Sequence, residues 1–165
     1  MTEFVCEPLG KHHNRQQFDC GVPVLNNYLS NIAGQDVKRK AAAVFVLSAF
    51  TQPERVVGYY TLSATSIELS SLPADLRKKL PRYPEVPAIL IGRLARGLTF
   101  PGVGSLLIAD ALTRCVRVSN EIAASVIVVD SKGEAANRFY EKFGFLSIPN
   151  LSTRMFLPMQ STEKL

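Results

Sequence analysis

The sequence predicts an α/β fold, a mixed sheet with helices against it, and three observations predict it. A strand-like run, Ala88–Ala95, leads through the glycine turn Gly102-Val103-Gly104 into an amphipathic stretch from Ser105 to Val118. A fully apolar run follows, Val126-Ile127-Val128-Val129. A second amphipathic segment ends at Gly144, and strand-like residues come after it at Phe145–Ile148 and Thr153–Leu157. Strand, helix, strand, helix, strand is the alternation of an α/β sheet.

Each element has its own signal. Phe4–Pro8 reads as a first strand. Phe18-Asp19-Cys20-Gly21 reads as a turn into a helix, with Leu25, Tyr28, Leu29 and Ile32 on one face at helical spacing. Asp36 is expected to cap a further helical turn that carries Lys38-Arg39-Lys40. Val44–Ala49 and Arg55–Ser66 read as strands, rich in β-branched and aromatic residues and joined by a turn at Gln52-Pro53-Glu54. From Leu69 to Pro87 four prolines (Pro73, Pro81, Pro84, Pro87) fence off a short basic helix near Ala74–Leu80. In Ala88–Ala95, Ile89, Ile91, Arg93 and Ala95 share one strand face. Leu107, Ile108, Ala111, Leu112, Cys115 and Val116 form a buried helical stripe. Ser131-Lys132-Gly133-Glu134 has the pattern of a capping box, serine at the cap and glutamate three later. It would open a helix running to about Phe143 that Gly144 ends.

At 165 residues the chain has the length of one domain, expected to span 1–165. No apolar run reaches the roughly 18 residues that cross a bilayer. Met1-Thr2-Glu3-Phe4 lacks the basic start of a secretory signal. Cys6, Cys20 and Cys115 have no metal-like spacing and read as reduced thiols, so a cytoplasmic location and no membrane are expected. His12 and His13 lie in a polar stretch and read as solvated surface, with no metal expected. The formal charge is +5, and Lys38, Arg39, Lys40, Arg77, Lys78, Lys79 and Arg82 supply seven of the 19 basic residues. Such clusters are either solvated helix faces or polyanion contacts. They argue against a polycationic substrate. Arg93 is either a strand-end arginine with its head in water or a cation turned toward an anion.

A glycine turn at a helix N-terminus binds anions, because bare N–H groups and the positive end of the helix dipole converge there. Tyr140, one strand and one helix later, would give such a site a proton donor. Together they point to an enzyme that transfers a group from a pyrophosphate-containing cofactor.

In this order, ending in Phe139-Tyr140-Glu141-Lys142-Phe143-Gly144-Phe145, the parts resemble the GCN5-related N-acetyltransferase (GNAT) superfamily. The front half narrows the resemblance. Phe18-Asp19-Cys20-Gly21, Leu25-Asn26-Asn27-Tyr28-Leu29, Val57-Gly58-Tyr59-Tyr60-Thr61-Leu62-Ser63, Leu80-Pro81-Arg82-Tyr83-Pro84 and Ile91-Gly92-Arg93-Leu94-Ala95 look like the acetyltransferase toxins of bacterial type II toxin–antitoxin modules. The resemblance runs from about Phe18 to Pro158. It implies a single mixed, mostly antiparallel sheet, with a central parallel strand pair that splays to admit acetyl-CoA. It implies acetylation of the α-amino group of aminoacyl-tRNA, which blocks translation. A ribbon-helix-helix antitoxin would neutralise the toxin, and a homodimer is expected.

The same resemblance assigns the site. Tyr140 would protonate the departing thiolate, although a tyrosine on the stripe of Ala136, Phe139 and Phe143 can also be simple core. Leu94, Ala95, Arg96, Gly102, Val103, Gly104 and Ser105 would hold acetyl-CoA, with a backbone N–H near Leu94 or Ala95 polarising the carbonyl. From charge and position in the chain, not from the resemblance, Lys38, Arg39, Lys40, Arg77, Lys78, Lys79, Arg82 and Arg93 would contact the tRNA. Two positions depart from the family. Thr99 stands where the loop carries glutamine or arginine, and Gly133 where many members carry asparagine. Ala88–Ala95 holds no carboxylate that could act as a base. An α-amine, with a pKa of about 7.7–8.0, needs less help to lose its proton than a lysine at about 10.4. The alternatives are acetylation of a small amine or protein amino group, or a non-catalytic scaffold that binds antitoxin or RNA.

Overall fold

The structure, a computed structural model, describes residues 3–149 and 151–163. In chain order the elements are β1 (Phe4–Pro8), α1 (Pro23–Asn27), a π-helical turn (Tyr28–Ile32), α2 (Ala33–Lys38), β2 (Ala43–Ala49) and β3 (Gly58–Glu68). Then come a 3₁₀ turn (Leu69–Ser71), α3 (Ala74–Arg77), β4 (Glu85–Arg96), α4 (Val103–Ser119) and β5 (Val126–Asp130). The chain ends with α5 (Glu134–Glu141), β6 (Leu146–Ile148), β7 (Leu151–Pro158) and α6 (Met159–Glu163). The strands are hydrogen-bonded in the order β1-β2-β3-β4-β5-β7-β6. β1 with β2, β2 with β3, β5 with β7 and β6 with β7 are antiparallel, and β4 with β5 is parallel. The expected mixed, mostly antiparallel sheet with a central parallel pair is therefore present. The parallel register joins Ala88–Ile91 to Val126–Val129, and β4 continues beyond it to Arg96.

The chain divides into two compact units. One holds the residues up to Ser63 and Gly92–Ala111; the other holds Ala64–Ile91 and the residues from Leu112 on. In the first unit Phe18, Tyr28, Leu29, Val46 and Tyr59 form the core. Tyr59 meets Phe18 edge-on at 5.5 Å between ring centroids and stacks with Tyr28 at 6.2 Å. Its hydroxyl donates to the Leu25 carbonyl at 2.7 Å, so the buried ring keeps its polar end satisfied. The expected face of the first helix changes at its π-turn. A π-turn holds one residue more than an α-turn, which moves the next position roughly 100° around the axis. Ile32 is therefore 41% exposed, and Ala33 is buried in its place. Asp36 does not cap; it lies inside α2, where its carboxylate accepts the Tyr28 hydroxyl at 2.8 Å. β3 starts at Gly58 rather than at Arg55, because Arg55 is diverted into an isolated bridge with Asn14.

In the second unit Ile67, Leu72, Val86, Val126, Val128 and Phe156 form the core. α3 ends at Arg77, short of the expected Leu80. Leu80 precedes Pro81, whose ring disfavours helical geometry in the residue before it. Pro87 lies within β4 rather than outside it, and its carbonyl accepts the Ser125 N–H at 2.8 Å. The Ser131 capping box does not form. The Ser131 N–H still belongs to the sheet, bonding the Thr153 carbonyl at 2.6 Å, and its hydroxyl donates to Asn137 Oδ1 at 2.5 Å. Gly133, with φ +100°, takes the N-cap position, and α5 starts at Glu134.

Candidate active site

The first unit carries the end of β4 and the start of α4. Leu94 is half-buried, Ala95 buried and Arg96 exposed. Past the strand, Gly97 N–H bonds the Val57 carbonyl at 2.8 Å and Leu98 N–H bonds the Asp19 carbonyl at 2.9 Å. Phe100 N–H then closes a turn on the Gly97 carbonyl at 3.1 Å. Gly102 follows with φ +85°, a left-handed conformation that side chains disfavour. Nothing lies within 4 Å of the Cβ it lacks, so the backbone angle alone calls for glycine. α4 begins at Val103, whose side chain is buried and anchors the helix end, and Ser105 is exposed. The first turn contains no acidic side chain to compete with a bound anion. The sequence-predicted residues Leu94–Arg96 and Gly102–Ser105 thus fall at one strand end and one helix start of the same unit. A pyrophosphate fits such a helix start: three consecutive amides, a glycine turn before them and no carboxylate.

The second unit carries Tyr140, on the inner side of α5. Its ring is 7% exposed and packs edge-on against Phe139 at 5.3 Å and Phe145 at 5.5 Å. Burial, with a smaller contribution from the Asp130 carboxylate, pushes its phenol up to about 12. The hydroxyl has no hydrogen-bond partner among the described residues. No buried side-chain N or O atom there is left without one, so this hydroxyl reaches solvent. A ring held in the core with an open, firmly protonated hydroxyl can give a proton to a leaving group.

The predicted cations divide between the units. Lys38, Arg39 and Lys40 are exposed at the end of α2, in the first unit. Arg93, also there, does not reach into water as a free strand-end arginine would. Its guanidinium carbon lies 3.6 Å from the Tyr28 ring centroid, a cation–π contact that sequence spacing gave no sign of. Arg77, Lys78, Lys79 and Arg82 are exposed in the second unit. Arg77 is partly committed, donating to the Leu72 carbonyl at 2.7 Å. It lines a groove of ≈ 800 Å³ with Arg82 and the exposed ring of Tyr83.

His13 departs from the expectation of solvated surface: it is 5% exposed. Its Nδ1 accepts the Gly10 N–H at 2.9 Å, so the proton sits on Nε2 and is donated to Glu7 at 2.9 Å. His12 Nε2 meets the same carboxylate oxygen at 2.9 Å. Glu7, His12 and His13 have the ligand atoms of a metal site within 4.8 Å of one another. The Gly10 bond, however, leaves His13 no lone pair to offer.

These parts, a central strand, a glycine turn opening a helix, a parallel strand and a tyrosine-bearing helix, define an acetyltransferase fold of the GNAT class. No protein-family model matches the chain. It is 32% identical over 150 residues to a tRNA-acetylating toxin of Mycobacterium tuberculosis (strain ATCC 25618 / H37Rv), covering 90% of this chain and 87% of that protein. It is 26% identical over 171 residues to a probable toxin TacT of Sinorhizobium fredii (strain NBRC 101917 / NGR234), covering 98% and 94%. Among solved structures it is similar to AtaT complexed with acetyl-methionyl-tRNAfMet, with a TM-score of 0.90, 28% identity and 98% of each chain covered. It is also similar to AtaTR bound with AcCoA, with a TM-score of 0.84 and 28% identity, covering 98% of this chain and 96% of that one. A mutant AtaT bound to the C-terminus of the antitoxin AtaR matches with a TM-score of 0.82 and 25% identity over 98% and 96%. The chain belongs to the GNAT acetyltransferase toxins of toxin–antitoxin modules.

Proposed function

We propose that this protein is an acetyl-CoA-dependent N-acetyltransferase that acetylates the α-amino group of aminoacyl-tRNA, blocks translation and is neutralised by a cognate antitoxin. The observation that carries the proposal is the likeness, over nearly the whole chain, to a tRNA-acetylating toxin. Acetyl-CoA supplies the acetyl group as a thioester. The amides of Val103, Gly104 and Ser105 bind its pyrophosphate, and Leu94, Ala95 and Arg96 line the strand beside the reacting end. A strand N–H near Leu94 or Ala95 polarises the thioester carbonyl. As the amine nitrogen bonds the carbonyl carbon and the carbon–sulfur bond breaks, Tyr140 gives the proton on its hydroxyl to the departing sulfur, and the proton shed by the nitrogen restores the neutral phenol. With its phenol at about 12, that proton stays in place across the range in which an α-amine becomes neutral. No carboxylate occurs from Val86 to Arg96, which favours an α-amine over a lysine as acceptor. Glu85, at the start of β4, accepts the Ser66 hydroxyl. Lys38, Arg39, Lys40, Arg77, Lys78, Lys79, Arg82 and Arg93 contact the tRNA. A single domain, a homodimer, a ribbon-helix-helix antitoxin and a cytoplasmic location belong to the same proposal. Among the described residues no helix is long and apolar enough to cross a membrane.

The test is labelled acetyl transfer from acetyl-CoA to a pool of charged tRNA, comparing wild type with Tyr140→Phe. The expected result is label on the aminoacyl group, reduced about 10²-fold or more in the variant. Equal label in both would remove Tyr140 from the mechanism. No label in either, with cofactor bound, would move the substrate to a small amine or a protein amino group.

A further inference from the structure

In the second unit, the segment between β3 and β4 presents a large aromatic ring to water. Tyr83 is 69% exposed, whereas Tyr28, Tyr59, Tyr60 and Tyr140 are buried. Pro81 and Pro84 bracket Arg82-Tyr83 and restrict its backbone, so the ring is presented at little cost in chain entropy. The base of the segment is pinned by the Leu69 N–H, which bonds the Pro84 carbonyl at 2.9 Å. Tyr83 lines the groove of ≈ 800 Å³ with Arg77 and Arg82, and the same lining includes Glu68 and Glu85.

This mixture of charges does not suit a bare phosphate or an acidic peptide, since either would meet two carboxylates. It suits a nucleotide, whose parts need different partners. The face of a base stacks on an aromatic ring. An exocyclic amine on the base donates to a carboxylate. The phosphate accepts from arginine N–H donors. All three kinds of partner are open in the groove. The side chains of Glu68, Arg82 and Tyr83 have no hydrogen-bond or ion-pair partner among the described residues. Arg77 donates through one nitrogen to the Leu72 carbonyl at 2.7 Å and keeps its other donors. Glu85 accepts the Ser66 hydroxyl on Oε2, which leaves Oε1.

We propose that this groove holds an unpaired base of the RNA substrate, stacked on Tyr83, with its exocyclic amine toward Glu68 or Glu85 and its phosphate toward Arg82 or Arg77. The inference rests on the proposed aminoacyl-tRNA reading. Adenine, cytosine and guanine carry such an amine. Uracil presents a carbonyl oxygen in its place, which a carboxylate repels. The base must be unpaired, because a paired base is stacked inside its helix and offers no free face.

Fluorescence anisotropy of fluorescein-labelled hexacytidylate and hexauridylate, titrated with the full chain, tests it. Wild type should bind hexacytidylate more tightly than hexauridylate. Tyr83→Leu should weaken hexacytidylate binding about five- to a hundredfold, the range for one base stacked on one ring, and Tyr83→Phe should keep most of the affinity. Glu68→Gln with Glu85→Gln should bring the two oligonucleotides closer in affinity, which a general change of charge would not do. The ring is exposed, so the variants should fold, and circular dichroism checks that they do. Folded Tyr83→Leu that binds hexacytidylate like wild type would overturn the proposal. Equal binding of the two oligonucleotides by wild type would overturn the amine contacts. Wild type that binds neither yet acetylates charged tRNA would overturn the groove and leave the aminoacyl-tRNA reading intact. Wild type that binds neither and transfers no label to charged tRNA would overturn both.

Discussion

His13 ties stability to pH through a single buried ring. Burial, the largest influence, lowers its pKa below the ordinary 6.5, against the pull of the Glu7 hydrogen bond. Above 6.5 the ring is neutral in folded and unfolded chains alike, and its contribution to stability is complete. As the pH falls below 6.5, the unfolded chain takes up a proton that the folded chain still refuses, so stability drops. Glu7, held below its usual value first by the His12 hydrogen bond, adds a further loss below its reference of 4.5. Urea midpoints should therefore fall between pH 7.5 and 5.5, and His13→Gln should flatten that fall. An equal fall in both proteins would clear His13 of the effect. The burial of His13 was not legible in the sequence, since His12-His13 sits in a polar stretch. Only the Gly10 N–H and Glu7, brought to the ring by the fold, make burial tolerable. Tyr140 was legible, because Phe139-Tyr140-Glu141-Lys142-Phe143-Gly144 joins helical periodicity to a glycine stop.

Among the elements, α4 depends on one glycine far from it in sequence. A Cβ on Gly58 would stand 2.7 Å from Leu107 Cδ1 and 3.0 Å from the Ala95 carbonyl oxygen. The leucine tip can turn aside, but the backbone oxygen cannot. Gly58→Ala should therefore destabilise the fold by about 1–3 kcal/mol, the usual cost of overpacking. Urea unfolding measures it, and an unchanged midpoint would mean that α4 can shift at no cost. Strand and helix identities were legible here, because the apolar periods of β2, β3, β4, β5 and α4 are strong. Boundaries were less so. The π-turn at Tyr28 and the failed cap at Ser131 are decided by partners outside their own segments. The Asp36 carboxylate lies eight residues beyond Tyr28, and the Thr153 carbonyl on β7 is farther still.

For the whole molecule, the charge of +5 is the relevant quantity. Lys78 and Lys79 are exposed, and their side chains have no hydrogen-bond or ion-pair partner among the described residues. Reversing both, Lys78→Glu with Lys79→Glu, should weaken tRNA binding and reduce the slope of log affinity against log salt by about one to two units. Transfer to a small model amine should be unaffected. Filter binding over a salt series measures the first effect, and an unchanged slope would remove these lysines from the RNA contact. Clustering made these residues legible in sequence. Arg93 stood out as a charge within a strand, but its stacking on Tyr28 was not legible, because that ring lies on a distant segment.

The division of the chain also sets an order for its synthesis. Neither unit is an unbroken stretch, since the first needs Gly92–Ala111 and the second resumes at Leu112. The N-terminal 63 residues leave the ribosome well before the segment that completes their core. β5 has only one neighbour, β4, until β7 is made at Leu151–Pro158. Tyr140 is translated before that last strand. A protein proposed to halt translation thus completes its own sheet only after β7 has been made.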